Sequence, residues 1–240
     1  MRFNKNSINK TVRFIAALLP FIIFYGCITI PERKFDPSIP TKTVAVLPLK
    51  NDTTDVTGPE MVRKRLIKAL KRRYYNVKPI KDVDRELRDQ MGVTLGGQLE
   101  IASPKTLGEI LHVQYVVFGT LIDFGEITTG VYNMRKVRAK FKLVNTETES
   151  TVWSRGLGVI SQNNCKNNFG QAASILAMVK NKKKDETRVP WVLLRSITND
   201  FNAAENLGFS LGRQLIEKAT NTYLMLETDE MIRRIIKDIP

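Results

Sequence analysis

Cysteine and histidine are almost missing from this chain: 240 residues hold two cysteines, Cys27 and Cys165, and one histidine, His112. So few thiols exclude a disulfide-stapled scaffold. With His112 alone there is no histidine pair to ligate a metal, and no His/Cys/carboxylate cluster has metal-ligand spacing. The serines stand in no nucleophile elbow. The glycines of residues 92–97 lack phosphate-loop spacing and the Lys-Ser/Thr that would follow it, so no nucleotide site is read there. Acidic residues are also scarce, 24 against 38 Lys and Arg. Asp52, Asp55, Asp123 and Glu126 are the carboxylates that could meet at one sheet end, but nothing in the spacing brings them together. These absences argue against an enzyme, a metal or cofactor site and a small-molecule substrate. His112 reads as a core residue at a helix end.

Long apolar runs are confined to the beginning. Arg2, Lys5, Lys10 and Arg13 precede an uncharged apolar stretch from Phe14 to Phe24, interrupted by Pro20 and followed by Tyr25, Gly26 and Cys27. The stretch is shorter than the roughly 20 residues a membrane span needs. A basic segment, a short apolar segment and a small residue form the layout of a secretory signal peptide. With Gly26 and Cys27 as the cleavage pair, it resembles a bacterial lipoprotein signal, although Phe24 and Tyr25 stand where Leu and a small residue are usual. The resemblance implies that the Cys27 thiol is acylated, palmitate included, and becomes the mature N-terminus. The alternative is an uncleaved signal anchor with an incidental cysteine. Ile28 rather than Asp after Cys27 implies sorting to the outer membrane, periplasmic face. If Cys27 carries lipid, Cys165 has no partner within the chain and is either an inert thiol or open to an intermolecular disulfide.

The first 26 residues carry four bases and no acids, which leaves 34 bases against 24 acids, a net charge of +10. A secreted protein rarely meets nucleic acid, so anionic lipid, lipopolysaccharide or an acidic protein partner is the expected counterpart, with a merely solvated basic surface as the plain alternative. Hydrophobic content of 42% and charged content of 26% suit one ordinary globular domain.

Four segments follow: 1–26 signal peptide, 27–41 lipidated cysteine and Pro-containing tether, 42–220 α/β periplasmic domain, and 221–240 C-terminal amphipathic helix. Within the domain, Thr43 to Leu49 is a buried strand and Thr57 with Glu60 starts a helix through a capping box. That helix buries Val62, Leu66, Ala69 and Leu70 and shows water Lys64, Arg65, Lys68, Lys71 and Arg72, a basic stripe that could meet lipid phosphates. Residues 76–80 form a second strand. Asp82 caps a helix over Val83, Leu87 and Met91, and Ser103-Pro104 opens another. Val113 to Asp123 is apolar on both faces and belongs at the sheet centre. Residues 133–144 alternate Val137, Ala139, Phe141 and Leu143 against Arg138, Lys140 and Lys142, and Thr151 to Ile160 returns to complete an antiparallel meander. Residues 188–195 fit no element clearly. Residues 198–219 read as a helix with Phe201, Ala204, Leu207, Leu211 and Leu215 inward. The expected fold is α/β, a mixed sheet of about five strands in the order β-α-β-α-α-β-β-β-α, flanked by helices.

Residues 169–179 are apolar and rich in small side chains, and residues 180–184 are nearly all basic. Ala173, Leu176 and Ala177 are read as an interface with protein or membrane, with plain core packing as the competitor.

Val44-Ala-Val-Leu-Pro-Leu-Lys-Asn-Asp52, Tyr115-Val-Val-Phe-Gly-Thr120 and Thr151-Val-Trp-Ser154 resemble the superfamily of CsgG, the LpoB-type activators and the N-terminal domain of TolB. They are most similar to a family of lipoproteins encoded beside CsgG-like proteins. The resemblance spans residues 42–160 and implies a three-layer domain that works through companion lipoproteins or self-association in secretion or envelope maintenance. It also leaves open a regulator of a peptidoglycan synthase or a CsgG-like channel subunit. Fully extended, residues 28–41 reach about 50 Å, short for crossing the periplasm to a synthase. The strand at 135–144 needs its apolar face for the core rather than for lipid, which counts against a pore.

Overall fold

A computed structural model describes residues 42–128, 132–165, 188–199, 211–218 and 222–240. Cys27, Gly26 and the tether, together with Ala173, Leu176 and Ala177, lie outside the described residues. Among them the sheet has seven strands, in the order β3-β1-β4-β5-β6-β7 with β2 paired to β4. The strands are β1 (Thr43–Val46), β2 (Lys50–Asn51), β3 (Asn76–Val77), β4 (Tyr115–Thr128), β5 (Tyr132–Asn145), β6 (Thr151–Cys165) and β7 (Trp191–Asn199). The helices are α1 (Gly58–Lys71), α2 (Ile80–Met91), α3 (Pro104–Leu111) and α4 (Met225–Ile235), with a 3-10 turn at Gly96–Ile101. β1 pairs in parallel with β3 and β4, β4–β5–β6 is an antiparallel meander, and β7 joins β6 in parallel. The α/β class and mixed sheet hold, with two more strands than the five expected. β2 is only two residues long, and β7 is the segment with no clear periodicity.

Alternation along β4 and β5 sorts the core into two halves. Val117, Leu121, Val137, Ala139, Phe141 and Leu143 face α1 and α4. Val116 and Val144 face α2 and α3 with Leu87, Leu107 and Leu111. The result is three layers, with β4 central and Val117 only 1% exposed.

Helix ends differ from the expected caps. Thr57 makes no side-chain cap, and instead Asp55 Oδ1 accepts from the Thr57 and Gly58 N–H groups, both at 2.8 Å. Glu60 pairs with Lys64 at 3.2 Å. α2 begins at Ile80, so Asp82 lies within its first turn and accepts from Arg85 rather than capping. Residues 76–80 yield only the two-residue β3, because Pro79 turns the chain directly into α2. His112 does end α3, in a left-handed conformation (φ 50°), but its side chain is exposed, not core. The last correction concerns residues 211–218. They are helical, yet Leu211 and Leu215 are 50% and 72% exposed rather than inward. α4 takes the core place instead, through Met231, Ile232 and Ile235. The strand β7 also runs through residues 198–199, where the helix was expected to begin.

Candidate functional site

Among the described residues, the helices α2 and α3 cover one side of the sheet over β1 and part of β4. Beyond Val144, the β5 side chains on this face are Lys142, Lys140, Arg138 and Lys136. The last two share a single acid. Asp123, across the ladder on β4, accepts from Arg138 at 2.7 Å and from Lys136 at 2.7 Å. The Trp191 ring lies 4.5 Å from the Arg138 guanidinium. Its approach needs Gly158, where a Cβ would sit 2.3 Å from the ring. Sequence alternation places Arg138 outward, and β7 buries it.

Lys140 and Lys142 are left exposed, with no hydrogen bond or ion pair among the described residues. Lys142 Nζ rests 4.6 Å from the centre of the Phe118 ring. These residues form one side of an open groove of about 590 Å³, with Phe118 and Thr120 as floor, Ala102 and Pro104 as an apolar wall backed by the buried Leu99, and Ser154 beyond. The wall is held close by Gly96, whose Cβ would fall 2.3 Å from the Leu49 carbonyl carbon. Lys50 ties the wall to β2 through a 2.5 Å pair with Glu100. That hydrogen-bonded ammonium holds the Glu100 carboxyl below the usual carboxylate range. The N-terminus of α3 also borders the groove, but its first amides are occupied: Thr106 N–H donates to Ser103 Oγ and Lys105 N–H to Glu149 Oε1. The groove therefore presents two lysine charges beside apolar surface.

The expected basic stripe of α1 divides into two parts. Lys64 is engaged by Glu60, and Arg65 reaches Asp229 of α4 at 3.1 Å. Lys68, Lys71 and Arg72 are exposed and carry no ion pair among the described residues. They crowd the C-terminal end of α1, a few residues before Asn76, whose N–H donates to Lys42 O at 3.0 Å. The free charges therefore sit where the chain enters the domain. Arg63, not read from the sequence, is buried: its guanidinium donates twice to Val46 O, at 3.0 and 2.8 Å, and once to Asp84 at 2.7 Å. Its spacing to Leu66 and Leu70, three and seven residues on, marks that inward face.

The four carboxylates considered earlier do not converge. Asp55 caps α1, Asp123 serves β5, Asp52 is exposed and Glu126 joins a separate buried cluster. There Arg135 forks onto Glu217 at 3.2 and 2.7 Å and lies 3.8 Å from Glu126 and 3.5 Å from Glu227. Arg213 donates to Glu126 at 2.8 Å, and Ser161 Oγ donates to Glu227. Tyr223 packs beside this cluster, edge-on to Phe124. Burial, aided by the Glu126 charge, pushes its hydroxyl up to about 12.

A raised folded pKa favours the protonated phenol, so its contribution is intact below about pH 10 and is lost as pH rises towards about 12. Tyr223→Phe should therefore lose less stability than the wild type over that window, by about 1–2 kcal/mol after allowance for solvent screening. Parallel denaturation series measure this, and identical alkaline slopes would contradict it.

The GNA1162-like lipoprotein family model matches residues 33–188, which include β1 to β6 and the first three helices. The chain belongs to this family. Among solved structures, the GNA1162-like chain is similar to lipoprotein GNA1162 from Neisseria meningitidis, at 22% identity over 61% of this chain and 100% of that one, with a TM-score of 0.48. It is also similar to the LpoB C-terminal domain from Salmonella enterica, at 15% identity, 51% and 85% coverage and a TM-score of 0.37. The PelC dodecamer from Paraburkholderia phytofirmans is 17% identical, with 56% and 81% coverage and a TM-score of 0.34. No curated protein matches the chain.

Proposed function

We propose that this protein is a non-enzymatic lipoprotein, anchored by acylated Cys27 at the periplasmic face of the outer membrane, that works through contacts with companion lipoproteins or its own copies in secretion or envelope maintenance. What carries the reading is the set of exposed charges Lys68, Lys71 and Arg72, with no ion pair among the described residues, at the end of α1 that leads into β3, the parallel neighbour of β1. A lipid chain and a basic patch at one end of a domain are two membrane signals acting together. Each cation near an anionic leaflet adds about 1 kcal/mol. Family membership supports the lipoprotein part of the reading.

Cys27→Ser tests the anchor. Incorporation of labelled palmitate should disappear, and the protein should either leave the membrane fraction or keep its signal and migrate more slowly. A variant that labels, fractionates and migrates as the wild type does would overturn the reading.

A further inference from the structure

We propose that the groove between β5 and the 96–104 wall binds an extended peptide segment of a partner protein in which acidic and apolar residues alternate. This rests on the reading above that the protein acts through protein contacts.

The spacing carries the argument. Lys140 and Lys142 are alternate residues on one face of β5, so strand geometry sets their Cα atoms about 7 Å apart. Alternate residues of any extended peptide have the same separation. Two carboxylates at i and i+2 therefore meet both ammonium groups without bending the chain, and the residues between them turn to the other side. There they find Ala102 and Pro104, with Phe118 beneath. Alternating charge and apolar surface across one groove is how an extended ligand is held by pockets for alternate side chains.

A phosphate group fits less well. It is best held by donors that converge on one point, such as helix N-terminal amides or arginine. The α3 amides at the groove are already bonded to Ser103 and Glu149. Arg138, the nearest arginine on β5, is committed to Asp123 beneath Trp191. The third lysine, Lys50, is paired with Glu100, so the open charge is that of two separated lysines. Lys140 also lies within electrostatic range of Glu100. The anionic ligand then competes with a carboxylate already in the wall, which favours a ligand with more than one acid.

The test uses the full chain in detergent micelles and a fluorescently labelled peptide alternating Glu and Leu, with binding read by anisotropy. The control peptide has the same composition with all Glu residues before all Leu residues. The alternating peptide should bind about tenfold more tightly than the control. Lys140→Glu/Lys142→Glu should remove that preference, and Lys140→Gln/Lys142→Gln should weaken it. Both side chains are exposed, so the thermal melt should stay unchanged, and salt should weaken binding by screening. Equal binding of the two peptides would overturn the proposal, as would binding that survives both double variants. Displacement by millimolar inorganic phosphate, or a loss of phosphatidylglycerol vesicle binding in the variants without loss of the peptide, would overturn it in favour of a headgroup site. Lys68→Glu/Lys71→Glu/Arg72→Glu should bind the peptide as the wild type does. Failure of the Cys27→Ser experiment together with intact peptide binding would then remove the anchor and leave the groove standing.

Discussion

Val117→Asp is expected to abolish folding. Val117 is 1% exposed near the start of β4, paired with Val46 of β1 on one side and Leu143 of β5 on the other. Leu47 N–H donates to its carbonyl at 3.1 Å, so the position joins the parallel and antiparallel parts of the sheet. Its side chain packs in the half of the core that includes Leu66, Leu70 and Phe141. No basic side chain lies in that cluster to pair with a carboxylate. Burying an unpaired polar group costs several kcal/mol, and an unpaired charge costs more. A domain of this kind is stable by only about 5–15 kcal/mol in total. Val117→Ala, which removes volume without adding charge, should cost about 1–3 kcal/mol and still melt cooperatively. Circular dichroism melts of the pair separate the two effects. A cooperatively melting Val117→Asp protein would mean that β4 is not the central strand.

Arg135→Met should cost about 3–5 kcal/mol, the range for removing one partner of a buried ion pair. Glu126 and Glu227 have side chains 0% and 1% exposed, and Glu217 is 19% exposed. Among the described residues, Arg135 and Arg213 are bases set against these acids. Without Arg135, the buried Glu227 carboxylate loses its guanidinium and Glu126 is left to Arg213 and Asn133. Much of the effect is the penalty of the acids left behind, not the strength of the lost pair. Arg135→Met/Glu227→Gln should therefore recover part of the loss. Urea denaturation of both variants gives the comparison. A cost below about 1 kcal/mol for Arg135→Met, or no recovery in the double variant, would show that the cluster is not coupled in this way.

The cluster also illustrates what could not be read in advance. Glu126, Arg135, Arg213 and Glu227 come from β4, β5, the 211–218 helix and α4. No local spacing relates them. Leu211 and Leu215 misled in the opposite direction. Their helical periodicity is real, but periodicity identifies an apolar face without showing what covers it. Here α4 holds the core position and those leucines remain exposed. β7 escaped notice because it is placed by pairing with the distant β6 rather than by an alternating pattern of its own.

Other features were legible because their cause is local. The apolar run of β1 forecast a buried strand and that of β4 a central one, and the Val137-to-Leu143 alternation forecast a strand with one covered side. The basic outer row of β5 was visible as well, although the sequence gives no hint that its four members would divide. Asp123 pairs with both Lys136 and Arg138 and Trp191 covers Arg138, whereas Lys140 and Lys142 remain exposed, with Lys142 over Phe118.

The sequence by itself determined the periodicities, the meander, the basic face of β5 and the lack of a catalytic or metal-binding motif, because each depends on residues close together along the chain. Tertiary structure alone decided which charges are spent and which are free. Arg63 and Arg138 became structural because a carbonyl, a carboxylate and an indole from distant segments close on them. Lys68, Lys71, Arg72, Lys140 and Lys142 stayed available because no acid among the described residues forms an ion pair with them. Charge pairing acts over a few ångströms in space, and only the fold sets those distances.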